Sequence, residues 1–135
     1  MSSDPCLGAR ILVVEDSQLF AEVLCEYLRD QQLVPIGPVG RVETACSLAR
    51  ESEMDAAIVD LKLADRFSFP VCSILVERRI PFLFLTGYGE LSVIPTEYRS
   101  VPLLSKPFQL DKMRELLRVL LVQRSAGQNR RLSFS

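Results

Sequence analysis

The chain has 135 residues, 48% of them hydrophobic, which fits one globular domain with a substantial core and leaves little room for a second. Sixteen basic and seventeen acidic residues give a net charge of −1, which argues against a general nucleic-acid binder. No apolar run approaches the ~20 residues that span a bilayer, and MSSDPCLGAR at the N-terminus lacks an apolar export signal, so a cytoplasmic protein without membrane partners is expected.

Along the chain, short apolar runs of strand length alternate with stretches of helical period. Residues 1–9 form an N-terminal extension, and residues 11–14 (ILVV) are the first predicted strand. Leu19, Phe20, Val23, Leu24, Tyr27 and Leu28 then mark a helical stripe. A second strand is predicted over residues 34–36 and contains Pro35, and a second helix carries Val42, Ala45, Cys46 and Ala49. Residues 56–59 (AAIV) and 82–85 (FLFL) read as buried strands, separated by a helix with Val71, Ile74 and Leu75. A short helix is predicted near residues 91–94, cut off by Pro95, and a fifth strand over residues 101–104 contains Pro102. Met113, Leu116, Leu117, Leu120 and Leu121 define the last helix. From Ser125 the apolar period is lost, so residues 10–124 form the predicted domain and 125–135 a flexible tail. No stretch after the last helix has the length of an effector domain.

This alternation predicts βαβ units and a parallel sheet with helices on both faces. Proline cannot donate to a ladder, which sends the runs with Pro35 and Pro102 to the edges. The fold class is therefore α/β: a flavodoxin-like, doubly wound, five-stranded parallel sheet of order 2-1-3-4-5.

In such sheets ligands bind beyond the C-terminal strand ends. Glu15 and Asp16 follow the first strand, Asp60 the third, Thr86 and Gly87 the fourth, and Ser105, Lys106 and Pro107 the fifth. Taken singly, each has an ordinary explanation: Asp16 and Ser17 suit a helix N-cap, Thr86-Gly87 a turn, and Lys106 a solvated loop. Their joint placement on one rim points instead to a site. Clustered carboxylates need a cation, and a hard oxygen-seeking ion such as Mg²⁺ answers that need. Asp60 can then attack an activated phosphoryl group, with Lys106 supplying a charge and Thr86 a hydroxyl donor. The chain contains no histidine, which excludes imidazole bases and makes any phosphohistidine donor a separate protein. Its four cysteines (Cys6, Cys25, Cys46, Cys72) show no C-x-x-C pair, and three of the four sit among apolar residues and read as small core hydrophobes.

Four motifs in order, VVEDS (13–17), IVDLKL (58–63), FLTGYG (84–89) and LLSKPF (103–108), resemble the response-regulator receiver domain of two-component signalling. The resemblance implies that Asp60 is the phosphoacceptor, and that Asp16, Asp60 and the Lys62 backbone carbonyl bind Mg²⁺ directly. It further implies that Glu15 acts on the metal through water, that Thr86 and Lys106 contact the phosphoryl group, and that the Lys106–Pro107 peptide is cis. PFLFLTGYG with SKPF is similar to the stand-alone FAT-GUY subgroup, with Leu85 in place of the alanine of its name motif. Members of that subgroup are often served by HWE or related histidine kinases. Where most receivers carry a switch aromatic this chain has Leu103, so Thr86, Gly87, Tyr88 and Gly89 are expected to move as a switch loop instead. Lys62 places a second cation beside the acceptor, which either repels Mg²⁺ or shields the acyl phosphate from water, or is simply solvated and uses only its backbone.

The expected function is a stand-alone receiver that takes a phosphoryl group from a sensor histidine kinase or histidine phosphotransfer protein. It would signal to a downstream protein, by analogy through the face of the fourth helix, fifth strand and fifth helix, or act as a phosphate shuttle or sink. Enzymatic action on outside substrates is not expected. A phosphohydrolase would want a second acid two residues after Asp60, where Lys62 stands. A docking module without phosphorylation would have no use for Asp16, Asp60, Thr86 and Lys106 together.

Overall fold

The computed structural model describes residues 6–64, 66–87 and 93–133. Five strands, β1 (Arg10–Val14), β2 (Val34–Val39), β3 (Ala56–Asp60), β6 (Phe82–Thr86) and β7 (Leu103–Ser105), form one parallel sheet of order β2-β1-β3-β6-β7. This is the 2-1-3-4-5 order expected, with the runs holding Pro35 and Pro102 on the two edges. Pro102 ends just before β7, and its carbonyl accepts the Phe84 N–H at 2.9 Å. Every residue of β3 and β6 is buried, as central strands covered on both faces must be.

Alternate strand residues feed two cores. Leu12, Val14, Val59 and Phe84 pack with α2 (Val42–Glu51) and α3 (Phe69–Glu77), while Ile11, Val13, Ile58, Leu83 and Leu85 pack with α1 (Gln18–Asp30) and α4 (Leu110–Ser133). The α1 stripe differs from the one the sequence suggests. Ala21, Leu24, Cys25 and Leu28 face the sheet, whereas Leu19 and Val23 are 75% and 43% exposed. The small Ala21 and Cys25 allow close approach, and the larger Phe20 and Tyr27 turn sideways instead. The Phe20 ring meets Phe108 edge-on at 5.6 Å, and the Tyr27 hydroxyl donates to Asp111 at 3.0 Å.

Three further departures concern connections. A two-stranded antiparallel ribbon, β4 (Lys62–Leu63) and β5 (Arg66–Phe67), follows β3 at once and was not anticipated, because two-residue strands carry no readable alternation. Thr96–Tyr98 forms a single 3-10 turn after Pro95, and part of the helix expected at residues 91–94 lies outside the described residues. The backbone of α4 continues to Ser133, past the point where the apolar period ends, since each added residue of a helix gains a hydrogen bond without new nucleation. Among the described residues no helix is long and apolar enough to cross a membrane.

One backbone approach ties the fold to the rim. A Cβ on Gly40, between β2 and α2, would lie 2.9 Å from the Asp16 Cα and 3.3 Å from the Glu15 carbonyl oxygen. Both neighbours are backbone and cannot swing aside. Gly40→Ala is expected to lower unfolding stability by about 1–3 kcal/mol, read as a reduced urea midpoint at unchanged m. An unaltered midpoint would mean that this corner yields freely.

Candidate functional site

The parallel sheet brings the C-terminal ends of β1, β3, β6 and β7 to one edge. Register places Val14 beside Val59, Asp60 beside Leu85, and Thr86 beside Ser105, so the residues that follow each strand meet. Glu15, Asp16 and Asp60 each present a carboxylate oxygen within 4.8 Å of the others. Lys106 reaches them from beyond β7: its ammonium donates to Glu15 Oε1 at 2.7 Å and to Asp60 Oδ2 at 3.1 Å. The same ammonium lies over the Phe20 ring, 4.8 Å from its centroid, within cation–π range. The Lys106–Pro107 peptide is cis, as is Gly37–Pro38, which the sequence reading did not foresee.

Each acid has its own support. Glu15 Oε2 accepts the Ser17 N–H at 3.0 Å, so both its oxygens are engaged. Ser17, not Asp16, caps α1, its hydroxyl accepting from the Phe20 N–H at 3.4 Å. Asp16 is exposed and accepts the Ala64 N–H at 2.8 Å, which ties the turn of the ribbon to the site. Ser68 is fully buried, and its hydroxyl lies 2.7 Å from the Asp60 carbonyl oxygen and 3.1 Å from that of Leu61. It therefore pins the backbone at the acceptor strand's end.

Thr86 is buried at the end of β6, with its hydroxyl 3.5 Å from that of Ser105, a contact at the limit of hydrogen bonding. The Lys62 ammonium lies 5.7 Å from the centre of the Phe67 ring, and among the described residues the carboxylates of the cluster pair with Lys106 alone. Gly87 follows β6 directly, while Tyr88 and Gly89 lie outside the described residues. Leu103 is half-buried on the edge strand and packs against the core that contains Tyr98. Sequence reasoning missed Ser68, Phe20, Ala64 and Gly40. Only Ser68 carried a readable signal, as a serine just ahead of Pro70 at a helix start.

The electrostatics are unbalanced. One ammonium serves two buried carboxylates, and burial first, then Glu15, pushes the Asp60 carboxyl up to about 8 despite Lys106. For Lys106, burial pulls its proton affinity down, but Glu15 and Asp60 outweigh it and the net shift is upward. A set of close, hard oxygen donors with an unmet demand for positive charge fits a divalent ion such as Mg²⁺.

The sequence profile of the "Response regulator receiver domain" family matches residues 11–118. Among solved structures the chain is similar to the solution structure of SdrG from Sphingomonas melonis Fr1, at 36% identity and TM-score 0.74, covering 90% of this chain and 99% of that one. The BeF3-activated conformation of SdrG, from Pseudomonas melonis Fr1, matches at 34% identity and TM-score 0.68, with the same coverages. The receiver domain of the sensor histidine kinase PA1611 from Pseudomonas aeruginosa PAO1, solved with a magnesium ion in its active-site cleft, shares the fold at 22% identity and TM-score 0.69, covering 84% of this chain and 98% of that one. Curated protein sequences contain no match.

The charge imbalance has a measurable sign. A carboxyl whose folded pKa, about 8, exceeds its ordinary 3.8 binds its proton more tightly in the folded state. That stabilisation is complete below 3.8 and gone once pH has risen through about 8, whereas the Lys106 contribution persists to higher pH. In metal-free buffer the urea midpoint should therefore fall between about pH 5 and about pH 8, and the fall should flatten in Asp60→Asn. Equal slopes in the two proteins would show that Asp60 is ionised throughout.

Proposed function

The chain belongs to the response regulator receiver domain family, and from that premise we propose that it is a stand-alone phosphoryl-accepting switch with Asp60 as acceptor. The observation that carries the proposal is the contact of Lys106 with both Asp60 and Glu15, next to Asp16. An Asp60 carboxylate oxygen attacks the phosphorus of a partner's phosphohistidine; the O–P bond forms, the N–P bond breaks, and the imidazole leaves with the electron pair. Asp16, Asp60 and the Lys62 carbonyl would hold a Mg²⁺ ion, which would supply positive charge toward the phosphoryl oxygens.

The residues of the chain do the remainder. Lys106 is already in contact with the acceptor and can follow the new phosphoryl charge by exchanging one anion for another. Thr86 holds its hydroxyl only loosely to Ser105, so it is free to donate to a phosphoryl oxygen. Glu15 has both oxygens occupied by protein donors, which suits contact with the metal through water. Ser68 keeps the Asp60 backbone fixed while its side chain reacts.

The donor in this reading is a sensor histidine kinase or a histidine phosphotransfer protein in the cytoplasm. The FAT-GUY-like motifs favour an HWE or related kinase. The protein turns over no outside substrate; it passes its state to a downstream protein or serves as a phosphate shuttle or sink. The SdrG structure with BeF3 supports the reading, since a relative 34% identical has an activated conformation under that name.

Incubation with a small phosphodonor and Mg²⁺, followed by intact-mass measurement, should give one phosphoryl adduct that is absent in Asp60→Asn and in EDTA. Lys106→Met should slow adduct formation by at least about tenfold, the loss of one charged contact to the transferred group. No adduct, even with a cognate kinase, would turn the reading toward a docking module. Sustained turnover of a phosphate ester would turn it toward a hydrolase.

A further inference from the structure

The Lys106 ammonium has three N–H donors, and it gives hydrogen bonds to Glu15 Oε1 at 2.7 Å and to Asp60 Oδ2 at 3.1 Å. It also lies over the ring of Phe20, 4.8 Å from the centroid. The Lys106 side chain is 30% exposed, and its flexible four-carbon stem gives it freedom to swing toward water. Transfer of a phosphoryl group to Asp60 changes the oxygen that holds one side of this ammonium. A contact that survives the change is then needed to keep the cation on the rim, and the ring supplies one.

Phe20 is itself held in place. Phe108 meets it edge-on, with centroids 5.6 Å apart and planes at 89°. Both rings are half-buried and pack against the core that α1 and α4 form with the sheet. The Phe20 N–H donates to the Ser17 hydroxyl at 3.4 Å, and the Ser17 N–H donates to Glu15 Oε2 at 3.0 Å. Because Glu15 Oε1 accepts from Lys106, the contacts close a circuit from Glu15 through Ser17, Phe20 and Lys106 back to Glu15. The residues with which α1 covers the sheet, Ala21, Leu24, Cys25 and Leu28, carry no ring. A leucine at position 20 would serve packing as well, but only an aromatic residue presents a negative face to a cation.

We infer that Phe20 is a positioning residue for Lys106, whose ring keeps the ammonium on the rim while it exchanges the Asp60 carboxylate for the incoming phosphoryl group. The inference rests on the reading of Asp60 as phosphoacceptor. A hydrogen-bond acceptor holds a donor at a narrow range of angles, whereas attraction to a ring face acts anywhere within about 6 Å of the centroid. Lys106 is therefore free to advance toward the transferred oxygens without leaving the ring. The ring also keeps water from one side of the ammonium, which strengthens its attraction to the anions it faces. Phe20 touches none of the reacting atoms and acts through Lys106 alone.

Two measurements on the full chain test this. In metal-free buffer, NMR of the Lys106 Hε protons should show the upfield displacement that a ring face produces; Phe20→Leu should remove it and Phe20→Tyr should keep it. With acetyl phosphate and excess Mg²⁺, intact-mass kinetics should show adduct formation slowed by about three- to thirtyfold in Phe20→Leu, with most of the loss recovered in Phe20→Tyr. Replacement of Phe20 by 4-fluoro- and then 3,4,5-trifluorophenylalanine keeps the shape of the ring while draining its face, so the rate should fall stepwise. In the Lys106→Met background Phe20→Leu should slow the residual reaction no further. Undisplaced Hε signals in the unsubstituted chain, a rate indifferent to fluorination, or equal losses with and without Lys106 would each overturn the inference. Absence of any adduct in the unsubstituted chain would sink the acceptor reading and this inference together, whereas an adduct with a level fluorine series sinks the inference alone.

Discussion

One ammonium between two buried carboxylates governs this molecule. Lys106 touches Glu15 and Asp60 together, and neither acid has enough contact with water to be solvated as an ordinary surface carboxylate. The cluster must therefore take up positive charge, as a proton on Asp60 or as a cation shared with Asp16. An arrangement with that deficit is costly in a structural role and useful in a reactive one, where incoming charge changes the balance. Only a parallel sheet assembles it so economically. Strands β1, β3, β6 and β7 all end on the same edge, whereas antiparallel neighbours would send half of these residues to the far side.

The surroundings keep this unfavourable group in place. Ser68 binds two successive carbonyls at the end of β3, and Asp16 fastens the β4–β5 turn through the Ala64 N–H. Gly40 lets the β2–α2 corner lie against the backbone of the acidic pair. Phe20 packs at the margin of the core and lies under the Lys106 ammonium, with Phe108 at its edge. The α1 face that looked from the sequence like a single stripe is thus divided: Ala21, Leu24, Cys25 and Leu28 serve the core, and Phe20 serves the site.

The legible parts were those set by long-range alternation. Five apolar runs and two prolines were enough to order the sheet, and the residues after each run were enough to collect Glu15, Asp16, Asp60 and Lys106. The illegible parts depend on single contacts that leave no periodic trace. The β4–β5 ribbon has two residues per strand, Ala64 contributes only its backbone N–H, and Gly40 matters for an atom it lacks. Tyr98 is similar. Nothing near Pro95 suggested a buried aromatic, yet its ring stacks with Phe69 at 5.8 Å and meets the edges of Phe82 and Phe84. It fills the apolar layer beside Leu103, so the smaller residue on β7 leaves the layer packed.

The two ends of the sheet can be compared by how their charges are matched. The exposed pair of Arg66 and Glu43, between β5 and α2, joins one cation to one anion in contact with water, and such pairs contribute little and require nothing further. Among the described residues the Asp60 rim has one ammonium for two buried acids, and at the far end the buried Arg124 Nε has no acceptor. These imbalances have opposite signs and lie at opposite ends of the strands. At the first, the partner missing among the described residues is positive charge beyond that of Lys106. A scaffold shaped only for stability would have paired these groups internally or replaced them with apolar ones, since either change removes a desolvation penalty. At the Asp60 rim the anchors hold an unmatched acid cluster rigid, which is the arrangement that incoming charge can rebalance.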